Sequence, residues 1–347
     1  MKNVCIVSMS RLFSATLAAC LLLLSASAFA AGKIAFISPA ADTAPWWKTV
    51  NNGVKDAAVD FGVQVDYLYP ADGSSQEMAR LIDKAIAGKY DALVVAMPDY
   101  AALKPALLKA TQQARIPLIT FNSGSHKQSE SVGAMLHVGQ PDDAAGKAAG
   151  LRAKQAGIKN FVCLNHYAQF PASHDRCNGF AEGLGLKTTP ELSLTGDAKT
   201  MQAQVAKYLA EHKNVEAVVT LGPPSAEAAL NALKGIKLAK APYFVSFDLS
   251  NPIIQAIKQG QIAFAIDQQP YLQGYLPIGL LVEAKKYGYK DLLMTKTALY
   301  SKRELHQRVS KYGLTLLNFG ERHVDSGPAF IERFNLEKVE TYSGSYR

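Results

Sequence analysis

The sequence is poor in cysteine and tryptophan, and it lacks the short motifs that most often indicate catalysis. Its 347 residues include four cysteines and two tryptophans. No G-x-S-x-G, H-E-x-x-H or G-x-x-x-x-G-K-[ST] pattern occurs, and no His, Cys and Asp residues stand at the spacing of a known catalytic arrangement. The sequence therefore argues against a serine hydrolase, a zinc protease and a P-loop nucleotide hydrolase, and we expect neither enzymatic activity nor a cofactor.

The first thirty residues contain the three parts of a secretory signal peptide. Lys2 and Arg11 are the only charged residues there, an apolar run extends from Leu12 to Leu24, and the segment ends in the small-residue exit Ala28-Phe29-Ala30. The apolar run is too short for a membrane-spanning helix. We therefore expect cleavage after Ala30 and export to the periplasm.

Two alternatives concern this leader. Leu17-Ala18-Ala19-Cys20 is similar to a lipoprotein cleavage box, which would anchor the chain through Cys20. The apolar run continues past Cys20 to Leu24, so the cysteine stands inside the core of the leader, and cleavage after Ala30 is preferred. Met9 is an alternative start, because Met9-Ser10-Arg11 makes a compact charged flank.

Length and charge limit the remaining possibilities. With thirty residues removed from 347, 317 remain, and chains of that length usually divide into two domains. The net charge of +8 becomes +6 without Lys2 and Arg11, and the positive residues are scattered along the chain. This pattern indicates a solvated surface and no nucleic-acid partner. We expect a monomer.

Two cysteines lie outside the leader. Cys5 and Cys20 belong to it, whereas Cys163 and Cys177 do not. An even pair in an oxidising compartment predicts a disulfide, although two buried small apolar residues would give the same pattern. Their spacing, without a CxxC, is poor for zinc, and we expect no metal site.

Apolar runs rich in β-branched residues alternate with segments of helical periodicity. Ala92–Ala96 is apolar throughout, as expected of a parallel strand that is buried on both faces. Val50, Val54, Ala57 and Phe61 mark the apolar side of a helix. The alternation predicts an α/β fold with parallel sheets. The predicted strands are Lys33–Ser38, Val63–Tyr69, Ala92–Ala96, Pro117–Phe121, Asn160–Asn165, Ala217–Thr220, Tyr243–Phe247 and Ile262–Ile266.

One segment of the chain is similar to another. Pro117–Asn122 and Pro242–Asp248 each begin with proline, continue through an apolar strand to a phenylalanine, and end in Asn or Asp. Such a pattern also arises by chance in α/β proteins. We infer two similar lobes, each with a doubly wound parallel sheet. A boundary between them is expected near Gly139-Gln140-Pro141, where a strand gives way to a helix.

Polar and aromatic residues follow the predicted strands. Ligands of open α/β sheets bind beyond the carboxyl ends of strands. Aromatic rings pack on the apolar face of a sugar, and carboxylate, amide and guanidinium groups bind its hydroxyls. Other roles are open: a tryptophan in the core, Asp248 as a helix N-cap, or His166 in the core or at the surface. The candidates at strand ends are Trp46, Trp47, Asp99, Asn122, His166, Asp248 and Gln268.

Four segments resemble the ribose-type periplasmic binding proteins of ABC sugar importers (periplasmic binding protein type I). They are 267–275 (Asp-Gln-Gln-Pro-Tyr-Leu-Gln-Gly-Tyr), Arg176-Cys177-Asn178-Gly179-Phe180, Ser326-Gly327-Pro328-Ala329-Phe330 and the opening Ile34–Ser38 with Pro45-Trp46-Trp47. The resemblance covers nearly all of the chain from Lys33. It implies two Rossmann-like lobes joined by a three-segment hinge and closing over one ligand.

The resemblance also implies domain bounds and residue roles. The signal peptide would be 1–30, the N-terminal lobe 32–138 plus 270–299, the C-terminal lobe 139–269 plus 300–330, and the tail 331–347. Trp46 and Trp47 would hold the sugar ring between them. The other implied ligand-binding residues are Asn122, Arg176, Asp248 and Gln268.

Some positions depart from the ribose pattern. Ser123 stands where ribose binders have Arg, and Gly222 stands where many members have Asn or Asp. These changes argue against ribose itself, or for contacts supplied by His166, Asp42 or Asp99. We expect capture of a sugar or cyclic polyol for an ABC membrane permease. The alternatives are a sensor that presents the ligand to a receptor kinase or chemoreceptor, and a secreted sugar-modifying enzyme.

Overall fold

The structure is a computed structural model that describes residues 32–287, 318–319, 322–327, 329–334 and 336. The expected signal peptide with its cleavage site and Cys20 lies outside these residues. The same holds for 288–317 and for most of the expected tail.

Among the described residues, the first sheet contains seven strands and belongs to the N-terminal lobe. The strands are β1 (Lys33–Ile37), β2 (Gln64–Leu68), β3 (Ala92–Ala96), β4 (Leu118–Phe121), β5 (Leu136–Gly139), β11 (Asn318–Phe319) and β12 (His323–Asp325). Their order in the sheet is β11-β12-β5-β4-β3-β1-β2, and the pairs are parallel except β11 with β12. Helices of this lobe are α1 (Pro45–Phe61), α2 (Ser75–Ala87), α3 (Tyr100–Leu108) with a π-helical turn (Lys109–Gln113), α4 (His126–Ser131) and α10 (Pro270–Tyr287).

In the part of the chain that the structure describes, the second sheet contains six strands. They are β6 (Phe161–Asn165), β7 (Glu191–Ser193), β8 (Ala217–Thr220), β9 (Tyr243–Phe247), β10 (Phe264–Asp267) and β13 (Ala329–Ile331). Their order is β13-β10-β9-β8-β6-β7, with β10 and β13 antiparallel and the other pairs parallel. The helices are α5 (Asp142–Gln155), α6 (Ser173–Leu184), α7 (Ala198–Glu211), α8 (Pro223–Lys234) and α9 (Asn251–Lys258).

The prediction of two doubly wound parallel sheets is confirmed. The orders β2-β1-β3-β4-β5 and β7-β6-β8-β9-β10 are the same, so the two lobes repeat one topology. All residues of β3, β6 and β8 are buried, which explains their continuous apolar character. All eight predicted strands are present; three have the predicted bounds, and the ends of the other five differ by at most two residues. The short strand β7 has no apolar run and was not predicted.

The chain passes between the lobes three times among the described residues. It crosses after β5, after β10, and between β12 and β13. The expected assignment of 300–330 to the C-terminal lobe is wrong for β11 and β12, because β12 pairs with β5 of the first sheet and Val324 is buried in that core. The expected tail also starts too early, because Ile331 and Leu336 are buried in the core of the second lobe.

Glycines permit one very close helix pair in each lobe. A Cβ on Gly274 of α10 would lie 2.0 Å from the carbonyl oxygen of Val50 in α1. A Cβ on Gly146 of α5 would lie 2.3 Å from the carbonyl oxygen of Arg176 in α6. Both distances are far inside van der Waals contact, so only glycine fits. The α5–α6 pair thereby fixes the backbone of Arg176 against the start of α5.

Within the part of the chain that the structure describes, no helix combines the length and the apolar character needed to cross a lipid bilayer.

Candidate functional site

A cavity of about 1040 Å³ lies between the lobes, at the carboxyl ends of the strands. Its wall contains apolar side chains, a few charged ones and several prolines. Six of the eight predicted ligand-binding residues line it, and Asp99 and His166 are not among the lining residues. The six are Trp46, Trp47, Asn122, Arg176, Asp248 and Gln268.

The first lobe contributes an aromatic wall. Pro45 occupies the first position of α1, where its missing N–H costs nothing, and the two tryptophans follow it. The rings of Trp46 and Trp47 meet edge to face with centroids 4.6 Å apart, and Trp47 packs in the same manner on Phe121 at 6.3 Å. The expectation that the two rings hold a sugar between them is therefore wrong, because they contact each other directly. Both rings are half-buried against the first core, so they pack there and face the cavity at once. Nε1 of Trp46 is buried and makes no well-formed hydrogen bond among the described residues, but it lies close enough to the carboxylate of Asp248 to act against the rise of that group's pKa.

The second lobe contributes a fixed guanidinium group. Arg176 donates from Nε to Oδ1 of Asp142 at 2.9 Å, from one terminal nitrogen to the carbonyl oxygen of Leu221 at 3.0 Å, and from the other to Oε1 of Gln268 at 3.0 Å. Its Cζ lies 4.9 Å from the centroid of the Phe247 ring. These four contacts leave the guanidinium one orientation, with its edge at the cavity wall.

Asp248 continues this network. Gln268 donates from Nε2 to Oδ1 of Asp248 at 2.6 Å, which links Asp142, Arg176, Gln268 and Asp248 in one chain of hydrogen bonds. Burial raises the pKa of Asp248 to about 6, although the charge of Arg176 acts in the opposite direction. The alternative role as a helix cap does not apply, because Ser250 caps α9.

Asn122 stands at the end of β4 with φ of 60°. Its Nδ2 donates to Oε1 of Gln273 at 3.0 Å, and the Ser123 hydroxyl donates to its Oδ1 at 3.1 Å. Gln273 in turn donates to the carbonyl oxygen of Gln268 and to the hydroxyl of Ser326. Asn122 is therefore joined to two of the three crossings between the lobes.

Asp99 and His166 have other surroundings. Asp99 caps α3, where its Oδ1 accepts from the backbone N–H of Ala102 at 3.1 Å. Both ring nitrogens of His166 are buried without a hydrogen-bond partner among the described residues, and burial lowers its pKa to about 3. A Cβ on Gly222 would lie 3.2 Å from Cε1 of His166 and 3.4 Å from Oδ2 of Asp248. The absence of a side chain at 222 thus leaves room for this imidazole beside the cavity.

Several lining residues were not singled out in the sequence. Tyr167 and Phe170 follow β6, and Glu227 and Ser250 lie on or beside helices that begin after strands. Tyr167 comes two residues after the end of a predicted strand, so its position in the sequence could have identified it as a candidate for the cavity wall. Glu227 sits inside α8, where only the three-dimensional structure places it at the cavity.

The predicted disulfide is present. Cys163 of β6 and Cys177 of α6 are bonded, with Cα atoms 5.7 Å apart. Because Cys177 follows Arg176 directly, the bond ties the helix that carries the guanidinium to the second sheet.

Comparisons with known proteins agree with this geometry. The chain matches the periplasmic binding protein domain family over residues 34–289. It is 27% identical over 263 residues to the ribose import binding protein RbsB of Haemophilus influenzae, an alignment of 74% of this chain and 87% of that protein. A carbohydrate transporter of Acidothermus cellulolyticus 11B, solved with myo-inositol, is 28% identical with a TM-score of 0.72 over 90% of this chain and 97% of its own. A XylFII-LytSN complex contains the same fold at 22% identity, with a TM-score of 0.66 over 74% of this chain and 94% of its own.

Proposed function

The chain belongs to the periplasmic binding protein domain family, and from this premise we propose that it captures a sugar or cyclic polyol between its lobes and delivers it to an ABC import permease. The family consists of solute-binding proteins and not of enzymes, and its location is periplasmic or extracellular. The observation that carries the proposal is a cavity with indole rings on one lobe and a hydrogen-bonded charged network on the other.

The two walls suit the two surfaces of a cyclic polyol. Trp46 and Trp47 offer an apolar surface for ring CH groups. Asp248 accepts hydrogen bonds from hydroxyls, Arg176 donates, and Asn122 does both. Because these groups are buried and already oriented, a guest that lacks a matching hydroxyl would leave one of them unpaired, at a cost of about 1–3 kcal/mol. That cost provides selectivity for hydroxyl pattern.

Hinge closure is the mechanism we propose for capture. Trp46 and Asn122 belong to the first lobe, whereas Arg176 and Asp248 belong to the second. A ligand that binds one half of the site in an open form would gain the other half's contacts on closure, and this gain shifts the population toward the closed form. The closed form, as a monomer, is then the species that a permease recognises.

The relatives support a range of ligands. One curated relative is a ribose import binding protein, and one similar structure was solved with myo-inositol. Ser123 and Gly222 give this cavity two fewer large polar side chains than the ribose pattern implies. We therefore favour a ligand other than ribose, with six-membered cyclic polyols and hexoses as the first candidates.

A thermal-shift screen followed by calorimetry tests the proposal. Pentoses, hexoses, inositols and linear polyols are added to the purified protein, and a ligand that binds only the folded form raises the melting temperature. Trp46→Ala and Asp248→Ala are then titrated with the best ligand, beside the exposed variant His212→Ala as control. A strong loss of ligand affinity in Trp46→Ala and Asp248→Ala, with normal affinity in His212→Ala, supports the site. Equal affinity in all three contradicts it.

Sensing is the second candidate. A chain of this fold occurs in a XylFII-LytSN complex, so a partner other than a permease can contact the fold. Ligand-dependent stimulation of a reconstituted permease ATPase by this protein would support import. Ligand-dependent binding to a receptor ectodomain, without stimulation of transport, would support sensing.

A further inference from the structure

A second cluster of side chains, all of them potential metal ligands, lies in the first lobe, and none of its residues lines the cavity. His126 at the start of α4 meets His323 and Asp325 of β12. Nε2 of His126 is 3.3 Å from Oδ1 of Asp325, and Nε2 of His323 is 3.7 Å from Oδ2 of the same carboxylate. One ligand atom from each residue lies within 4.8 Å of the other two. We propose that these three residues form a binding site for a divalent transition-metal ion of the Zn²⁺ type.

The spacing fits a tetrahedral ion. Zn²⁺ binds imidazole nitrogen and carboxylate oxygen at about 2.0–2.2 Å, so two ligand atoms of a tetrahedral site stand about 3.4 Å apart. The nitrogen–oxygen distances of 3.3 and 3.7 Å bracket that value. The donor set of two imidazoles and one carboxylate is typical of zinc and its transition-metal neighbours, whereas Ca²⁺ and Mg²⁺ take oxygen ligands.

The sheet register builds the site. In the parallel pair of β5 and β12, His137 is opposite His323 and Gly139 is opposite Asp325. Residues two apart on a strand face the same side, so His137, His323 and Asp325 share the face on which His126 lies. A side chain at 139 would occupy this space, because its Cβ would be 2.8 Å from Nε2 of His137.

His137 supplies an independent sign of a missing ligand. The Thr120 hydroxyl donates to Ser129, so it accepts from Nδ1 of His137 at 3.0 Å, and Nε2 is left with a lone pair. That nitrogen is buried without a hydrogen-bond partner among the described residues, and its residue is 1% exposed. It points toward the backbone of Gly139, the strand partner of Asp325, and the ring of His126 lies 5.5 Å from the His137 ring, centroid to centroid. A bound ion, or a water on that ion, would satisfy the nitrogen.

The three proposed ligands remain reachable from solvent. The side chains of His126, His323 and Asp325 are 29%, 26% and 11% exposed. An ion can therefore enter without unfolding the lobe. Since β12 leads into the crossing at Ser326, whose hydroxyl donates to the carbonyl oxygen of Gln268 at 2.8 Å, the ion would join α4 to the hinge side of the lobe.

Calorimetric titration of the untagged, chelator-treated protein with ZnCl₂ tests the site, with CaCl₂ in a parallel titration. We expect one Zn²⁺ per chain and no comparable Ca²⁺ binding. His126→Ala and His323→Ala should each weaken Zn²⁺ binding at least about tenfold, a loss produced even by removing a hydrogen-bond partner of a metal ligand. Circular dichroism and the thermal unfolding midpoint show whether each variant is folded.

The matched control is His212→Ala, which removes an exposed imidazole from the other lobe. It should bind Zn²⁺ as the wild type does. Asp325→Asn keeps the size of the side chain and serves where His323→Ala does not fold. Absence of Zn²⁺ binding by the wild type, or variants of His126 and Asp325 that bind as tightly as His212→Ala, would overturn the proposal. The outcome does not depend on what the cavity binds.

Discussion

Asn122 and Asp248 occupy the same position in the two lobes. Asn122 follows β4 with φ of 60°, and Asp248 follows β9 with φ of 61°. Each backbone N–H donates to the next strand of its sheet, to the carbonyl oxygen of Val138 at 3.0 Å and of Ile266 at 2.8 Å. Asn and Asp are the non-glycine residues that best tolerate this left-handed conformation. The same backbone turn therefore directs one polar side chain from each lobe into the cavity.

The backbone requirement at Asn122 can be separated from the role of its amide. Asn122→Gly and Asn122→Ala both remove the amide, but only alanine is strained at positive φ. We expect the alanine variant to be about 1 kcal/mol less stable than the glycine variant in urea unfolding. Both variants should lose ligand affinity by a similar factor. If alanine is the more stable of the two, the turn does not need the left-handed conformation.

The sequence showed that Asn122 and Asp248 occupy equivalent positions, but it did not show which residues they contact. The Pro-strand-Phe-polar pattern repeats in 117–122 and 242–248, because each lobe builds a buried parallel strand and a polar turn. Nothing in the pattern shows that Gln273 lies beside Asn122, 151 positions away. That contact forms because α10 begins directly after the second crossing and packs in the first lobe.

Other features were beyond sequence reasoning for the same reason. The His126, His323 and Asp325 cluster joins residues almost 200 positions apart through the register of β5 and β12. β12 was assigned to the wrong lobe, because a three-residue strand carries too little periodicity to indicate its sheet. Strands buried on both faces were located well, because a run of apolar residues is a local signal.

We expect the buried carboxylate of Asp248 to lower the stability of the ligand-free protein while it contributes to ligand affinity. Its pKa is raised from 3.8 to about 6 by burial, so the ionised form is disfavoured in the folded state. The stabilising effect of that shift is fully present below pH 3.8 and is lost as the pH rises through about 6. At pH 7 we expect ligand-free Asp248→Asn to be more stable than the wild type, by on the order of 1 kcal/mol or more.

Urea unfolding at pH 7 and pH 4 measures this effect, and calorimetry measures the ligand affinity of the same variant. The stability difference should shrink at pH 4, and the affinity at pH 7 should fall about tenfold or more, because a hydrogen bond to a charged group is lost. An Asp248→Asn variant that is less stable at pH 7, or that binds normally, would refute this account of the site.

His166 should make the ligand-free protein sensitive to acid. Its folded-state pKa is lowered from 6.5 to about 3, chiefly by burial and secondarily by the charge of Arg176. Above pH 6.5 the imidazole of His166 is neutral in both the folded and the unfolded state, so it does not reduce the stability of the protein. As the pH falls from 6.5 toward 3, the unfolded state binds a proton that the folded state does not, and stability decreases by up to about 1.4 kcal/mol per pH unit.

His166→Phe replaces an imidazole whose nitrogens are buried without hydrogen bonds to the described residues with an apolar ring of similar shape. Its stability in urea should fall less steeply over this pH range than that of the wild type. The matched control His212→Ala removes an exposed imidazole and shows how much of the pH dependence a surface histidine contributes. Parallel curves for His166→Phe and the wild type would show that the imidazole is protonated in the fold.

The disulfide should contribute substantially to stability. Cys163 and Cys177 are 14 positions apart and close a loop for which the chain-entropy relation gives about 3 kcal/mol. We expect the free energy of unfolding of the double variant Cys163→Ala/Cys177→Ala, measured in urea, to be lower than that of the wild type by about this amount. A reductant should lower the urea concentration at which half of the wild type is unfolded, and it should not change this midpoint for the double variant. A reductant effect on the double variant would point to another cause.

Trp46 and Trp47 are the two tryptophans of the chain, and both line the cavity, so intrinsic fluorescence reports on this site. Ligand binding should change the emission of the wild type and of both single variants, Trp46→Phe and Trp47→Phe. Because Nε1 of Trp46 is buried beside Asp248 without a well-formed hydrogen bond among the described residues, we expect it to donate to the ligand. Trp46→Phe should then weaken binding by about fivefold, the effect of one lost hydrogen bond of about 1 kcal/mol. Trp46→Ala also removes the aromatic surface and should weaken binding further. Equal affinities of the phenylalanine and alanine variants would show that stacking on this ring contributes nothing.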